Sequence, residues 1–260
     1  MISRRDLTGF PGEVYAVYLR EIIRLWRSKS RLITAVVMPF LWLATIGTAY
    51  RNSVSLPVPT DFLSFLTPGI MAMSMVFSGT VSGVSTVFDR EFGFLKEMLV
   101  APISREAIVV GKMMGGVTQA VMQGSIILLM SWIMGMRVSS GLPTIEVILG
   151  VSAAMLLISG SFVSMGLAIA SKMSSTESFH MVMSFLIQPM IFLSGAMYPT
   201  RIIPEWLKIP VRINPLTYGV DLIRYYIIGM AEYSLKIDYI VLVAYTTIMV
   251  AVGGQLFRRT

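Results

Sequence analysis

"DREFGFLKEMLVAPISREAIVVGK", residues 89–112, carries eight charged side chains in twenty-four residues, and the chain on either side of it is almost free of charge. A soluble domain spreads charge over its whole surface. A dense charged island between long apolar runs reads instead as the link between two membrane helices. Composition agrees. Of 260 residues, 55% are hydrophobic and only 13% charged, about half the charged share of a soluble domain. Mean hydropathy is +0.75. The net charge of +7 then concerns orientation and anionic lipid, and no aromatic-plus-basic motif points to nucleic acid. With no cysteine there is no disulfide, thiolate metal site or cysteine nucleophile.

Working outward from the island, six apolar stretches approach or exceed the ~20 residues that cross a bilayer as a helix. They lie near 32–50, 62–88, 108–136, 144–170, 180–197 and 237–257. The first is preceded by basic residues, as in a signal peptide. It is longer than a usual signal core and lacks a small-residue cleavage site, so it reads as a retained span. The expected fold is an all-α membrane protein of six transmembrane helices, forming one membrane domain over 1–260. With the N-terminus inside, fourteen Lys and Arg fall on the cytoplasmic side and seven outside, which puts both termini in the cytoplasm. Five of the outside charges follow the fifth stretch and need an explanation of their own.

Before the first span, "EVYAVYLREIIRLWRSKSR" follows Pro11-Gly12. Arg20, Arg24, Arg27 and Arg31 recur at helical spacing, and Val14, Val17, Ile22, Leu25 and Trp26 supply apolar surface. This predicts an interfacial helix over 11–31, either a simple anchor or a contact for a partner. No phosphate-binding loop exists: at the single Gly-Lys pair, Gly111-Lys112, methionine follows and Glu106 stands where the first glycine belongs. One histidine, His180, excludes a multi-histidine metal site, and the 21 methionines read chiefly as adaptable packing.

On the second span, Ser74, Ser78, Ser82 and Thr86 form a small-residue stripe, with Gly79 and Gly83 one position on. Close packing within the chain, contact across a dimer, and a hydroxyl-lined path are all compatible with it. Within the island, Phe92, Phe94, Leu95, Met98 and Leu99 interleave with Glu91, Lys96 and Glu97. That pattern predicts a short amphipathic helix over 89–100, resting on headgroups or docking a cytoplasmic partner. Between the last two spans, Gln188-Pro189 is read as interrupting the fifth, and prolines recur at 199, 204, 210 and 215. Two short re-entrant or interfacial outer helices are expected near 203–209 and 215–230. Asp221 and Arg224, three apart, are expected to pair on one helix face.

Three segments together, "DREFGFLKEMLVAPISREAIVVGK", "LSGAMYP" and "INPLTYGVDLIR", resemble the ABC type-2 permease family, the membrane subunits of ABC exporters. The resemblance covers nearly the whole chain. It implies that 89–100 is the coupling helix touching the ATPase, carried here by Glu91, Phe92, Gly93, Lys96 and Glu97. It implies that 199–230 holds the outer gate helices, with Asn214, Pro215, Asp221 and Arg224 as gate residues. It further implies a non-enzymatic transport subunit of a prokaryotic inner (plasma) membrane. Two ABC ATPase subunits would bind ATP and Mg, this chain binding no cofactor. A second permease copy, identical or related, would complete the path. A membrane-embedded enzyme and an ion-coupled secondary transporter are the alternatives, each disfavoured by the lack of ionisable clusters in the clear spans. The substrate is not legible.

Overall fold

The computed structural model describes residues 9–47, 49, 61–93 and 103–258, and among them every regular element is helical. In chain order these are α1 (Phe10–Arg27), α2 (Lys29–Trp42), α3 (Phe62–Glu91), α4 (Arg105–Ile133), α5 (Thr144–Ala170), α6 (Thr176–Phe192), α7 (Glu205–Ile213), α8 (Pro215–Ile228) and α9 (Leu235–Arg258). Four of them, α3, α4, α5 and most of α9, are long and apolar enough to cross a membrane. The first expected span appears as α2 continued by a π-helix over Leu43–Gly47, and the fifth as α6, both shorter. Pro39 has no N–H for the helical ladder, and the π-turn follows one turn later.

Helix α3 is the axis of the molecule, with α5, α4, α6 and α8 packed around it. At 30 residues it is about 45 Å long, well beyond the ~30 Å hydrocarbon core of a bilayer. Its glycines decide the α3–α5 contact. A Cβ on Gly79 would lie 2.5 Å from the Phe162 carbonyl oxygen, and one on Gly166 would lie 2.3 Å from the Gly79 carbonyl oxygen. Only glycine lets the two backbones touch in this way. The glycine face of the stripe is therefore packing within the chain.

Helix α1 lies along α4, with Val17 set against Ile108 and Val109. It ends at Arg27, because the Ser28 hydroxyl turns back onto the Arg24 carbonyl at 2.6 Å. The expected interfacial helix of 11–31 is thus two helices, with Lys29 opening α2. Asp89, Arg90 and Glu91 also differ from expectation: they form the last turn of α3, not the start of a separate helix. The turn ends at Gly93, whose φ of +82° glycine adopts without steric cost. Residues 94–102 of the charged island, Lys96 and Glu97 included, lie outside the described residues.

Nor does Pro189 break α6, which runs through it to Phe192. Backbone acceptors near the helix end are met from the α8 side. Asn214 Nδ2 donates to the Met190 carbonyl at 2.6 Å, and the Thr217 hydroxyl lies 3.4 Å from the Leu193 carbonyl.

Candidate functional site

At one end of the bundle three helices converge on a single carboxylate. Asp89, in the last turn of α3, is 1% exposed. Its Oδ2 accepts from Lys112 Nζ of α4 at 2.5 Å, and its Oδ1 from Arg24 Nη1 of α1 at 3.1 Å. Arg20 adds a longer contact of 3.4 Å. Lys112 is itself 3% exposed and has Glu21 of α1 at 3.7 Å as a second carboxylate. Arg24 also donates to the Ser85 hydroxyl at 2.6 Å. A buried lysine without a carboxylate would be strongly unfavourable, and here two carboxylates satisfy it. Gly111 and Gly115 make the cluster possible. A Cβ at Gly111 would stand 2.6 Å from Val17, and one at Gly115 would stand 2.7 Å from Glu21, so α1 could not approach α4 otherwise.

The neighbouring residues tie this end to the rest of the fold. Arg90 Nη1 donates to the Ser171 carbonyl at 2.8 Å, just past the end of α5. Glu91 Oε2 accepts from the Thr176 amide at 3.2 Å and its hydroxyl at 2.7 Å. A carboxylate there lies on the electropositive N-terminus of α6. On the far side of the island, Ser104 is the N-cap of α4 and accepts from the Ala107 amide. Both its hydroxyl and its amide donate to Glu13 Oε2 of α1, at 2.6 and 2.9 Å. Those bonds hold the Glu13 carboxyl below its ordinary value, the Ser104 hydroxyl being the larger cause. Residues 93–103 therefore leave one anchored helix end and enter another, and both anchors reach the same helix, α1.

Of the island residues singled out from sequence, Glu91 is thus an anchor, Phe92 is exposed with its ring tilted against that of Phe88 at 4.3 Å, and Gly93 is the turn. Sequence reasoning missed both the cluster of Asp89, Lys112, Arg20 and Arg24 and the clamp of Glu13 on Ser104. The available signals were the i, i+4 spacing of Arg20 and Arg24 and a serine ahead of an apolar helix.

The opposite end holds the other four. Asn214 caps α8 by accepting from the Leu216 amide at 3.1 Å while its Nδ2 holds α6, and Pro215 fills the first turn of α8. Asp221 and Arg224 do not form the expected hydrogen-bonded pair. Asp221 accepts from the amides of Glu232 and Tyr233 at 2.9–3.0 Å. Arg224 donates to the Gly195 carbonyl at 2.9 Å and lies over the Phe65 ring at 4.1 Å. Each thus pins a different connection onto α8: Arg224 the one after α6, Asp221 the one before α9. Loop backbone offers unpaired N–H and C=O groups, and once buried these need partners.

A family model for the ABC-2 type transporter matches residues 12–228. The chain belongs to the ABC-2 type transporter family. Among its relatives, ycf38 of Porphyra purpurea, named as a transport permease, is 30% identical over 216 residues, covering 82% of this chain and 73% of the relative. The inner membrane transport permease YadH of Escherichia coli K12 is 21% identical over 248 residues, covering 95% and 93%. Nodulation protein J of Rhizobium leguminosarum bv. trifolii is 25% identical over 239 residues, covering 88% and 87%.

In this ABC-2 chain a cleft of about 620 Å³ runs between α2, α3, α4 and α6. Its walls are mostly apolar, among them Met38, Trp42, Met73, Phe77 and Phe192. Ser74, Ser78, Gln119, Gln123 and Gln188 add neutral polar groups, and the Ser78 hydroxyl donates to Gln123 Oε1 at 2.5 Å. Two of the stripe's three serines, Ser74 and Ser78, thus border the cleft, while its glycines pack against α5.

Proposed function

We propose that this chain is the membrane-spanning permease subunit of an ATP-driven exporter, with ATP hydrolysis on a separate ABC ATPase. In this reading α2 and α6 cross the bilayer with the four longer helices, giving six spans and both termini in the cytoplasm of a prokaryotic cell. Two such chains, identical or related, and two ATPases make the working unit. The cleft between α2, α3, α4 and α6 is this subunit's share of the path. The named functions of the relatives, transport permeases in two of the three cases, support the transport role.

The observation that carries the coupling is the double anchoring of residues 93–103. An ATPase surface pressing on Phe92, Gly93, Lys96 and Glu97 would act on a segment whose ends are tied by Asp89 and Ser104 to α1. From Asp89 the load passes to α3 and through Lys112 to α4. From Glu91 it passes to the N-terminus of α6. Those helices line the cleft. The linkages are charged contacts between rigid helices, so a displacement of the segment moves them together rather than bending one loop. At the far end, Asn214, Pro215, Asp221 and Arg224 hold 199–230 as the outer gate. No residue of the chain carries out chemistry; ATP and Mg would be held by the partner.

Affinity purification of the chain from its native host, followed by identification of bound proteins, tests the partner. An ABC ATPase should copurify and should be lost from Glu97→Arg, because like charge placed at a docking surface is repelled. Stable recovery of the chain with no ATPase, together with transport that persists when ATP is exhausted but stops when ion gradients collapse, would refute the reading in favour of an ion-coupled transporter.

A further inference from the structure

Arg201, Lys208, Arg212, Arg224 and Lys236 are the basic residues that run against the charge rule after the fifth apolar stretch. The fold accounts for Arg224, which is buried on the Gly195 carbonyl and the Phe65 ring. Three of the other four, Arg201, Lys208 and Arg212, line one recess of about 240 Å³ formed by α7 and the connections on either side of it, together with Glu232 and Tyr233. At about 30 Å³ per water, that is room for a small ion and several waters. The neighbouring carboxylates, Glu232 and Glu205, offset these three positive charges only in part. Glu232 Oε1 is taken by the Thr200 amide at 2.9 Å. Lys208 meets only Glu205 at 2.5 Å, and Glu205 is 87% exposed, so water competes for that pair. Among the described residues neither Arg201 nor Arg212 has a carboxylate within 4.0 Å. Two arginines and a lysine thus border a common space lined mainly by polar groups, Arg212 also bonding the Tyr233 side chain.

We propose that this recess is an anion-binding site that takes a phosphate or carboxylate group on the face of the protein opposite the Asp89 hub. Arg201 and Arg212 supply paired N–H donors matched to two oxygens, and Lys208 supplies a point charge once it leaves Glu205. The recess lies beside the Glu232 amide that Asp221 holds, so an occupant bears directly on the connection pinned to α8. The assignment of this face to the cell exterior rests on the topology proposed above; the binding chemistry does not.

The test is the unfolding midpoint of the detergent-purified full chain, titrated with inorganic phosphate and separately with dioctanoyl phosphatidylglycerol. Sodium chloride at matched ionic strength and dioctanoyl phosphatidylcholine are the references. A saturable stabilisation above both references is expected. Response to phosphate and lipid alike assigns the site to free anions, and response to the lipid alone assigns it to headgroups. Arg201→Gln and Arg212→Gln should each weaken binding about tenfold, the loss of one charge-assisted contact, while Lys236→Gln should not. No response to either probe, or equal responses in all four proteins, overturns the site. Sidedness is read separately from Arg201→Cys, the native chain having no cysteine. Labelling by an impermeant maleimide only from the cytoplasmic side would sink the topology and leave the anion site standing.

Discussion

Replacing Asp89 by Asn removes the negative charge shared by three cations. Lys112 is the group left stranded, 3% exposed and with only Glu21 nearby at 3.7 Å. Removing one partner of a buried ion pair costs about 3–5 kcal/mol. Because Glu21 remains, a loss near the lower bound, about 3 kcal/mol, is expected for Asp89→Asn. Lys112→Met keeps the length and packing of the side chain. Asp89 then retains Arg24 at 3.1 Å and Arg20 at 3.4 Å, both partly exposed. The expected loss is about 1.5–2 kcal/mol, the lower part of the range for one charged hydrogen bond. In the double variant no buried charge is left over, and the total should be about 2 kcal/mol rather than the sum of the single losses, a coupling of about 2–3 kcal/mol. Equilibrium unfolding in mixed micelles, followed by circular dichroism, measures all four proteins. The same variants should transport poorly while still binding the ATPase, since the hub lies behind the docking segment. Additivity within about 0.5 kcal/mol would show that Asp89 and Lys112 do not form the shared pair, and the transmission argument would fall with it.

Further outcomes follow from particular contacts. Glu13 has its pKa lowered by Ser104, so its contribution to stability is present above its ordinary value of 4.5 and is lost as pH falls through the lowered one. The stability gap between the parent and Glu13→Ala should therefore be constant near neutrality and close below about pH 4; a gap unchanged at low pH would contradict the clamp. Asp221→Asn should destabilise, and adding Arg224→Gln should worsen the loss rather than rescue it, because the two side chains hold different connections; thermal unfolding showing recovery in the double variant would refute this. Gly79→Val should prevent assembly of α3 on α5, since a Cβ meets the Phe162 backbone at 2.5 Å; normal yield and gel-filtration profile would disprove that contact. Asp238 is fully buried with neither carboxylate oxygen hydrogen-bonded among the described residues, so Asp238→Asn should leave the unfolding midpoint unchanged or raised, and a clear drop would reveal a partner.

Much of this was legible in one dimension. Long apolar runs between charged ends define membrane helices locally, because hydrocarbon leaves the backbone no partner but itself. Hence α3, α4, α5 and α9 could be placed from composition, and α7 and α8 from prolines and capping residues such as Asn214, which act within a few positions of where they stand. The charge and apolar interleaving places Glu91 and Gly93 in an amphipathic helix over 89–100, whereas Glu91 ends α3 and Gly93 is the turn that follows it. What sequence did not determine is which distant groups meet. Asp89 is 65 residues from Arg24 and 23 from Lys112, and Glu13 is 91 from Ser104. No local pattern encodes those pairs; they follow from α1 seating on α4 through Gly111 and Gly115. The same holds where expectation failed. Spacing of three on a helix made Asp221 and Arg224 an obvious pair, but folding brought buried loop amides and carbonyls to each. A buried charge is satisfied by whatever unpaired polar group the packed backbone brings within reach, and only the tertiary structure decides which group that is.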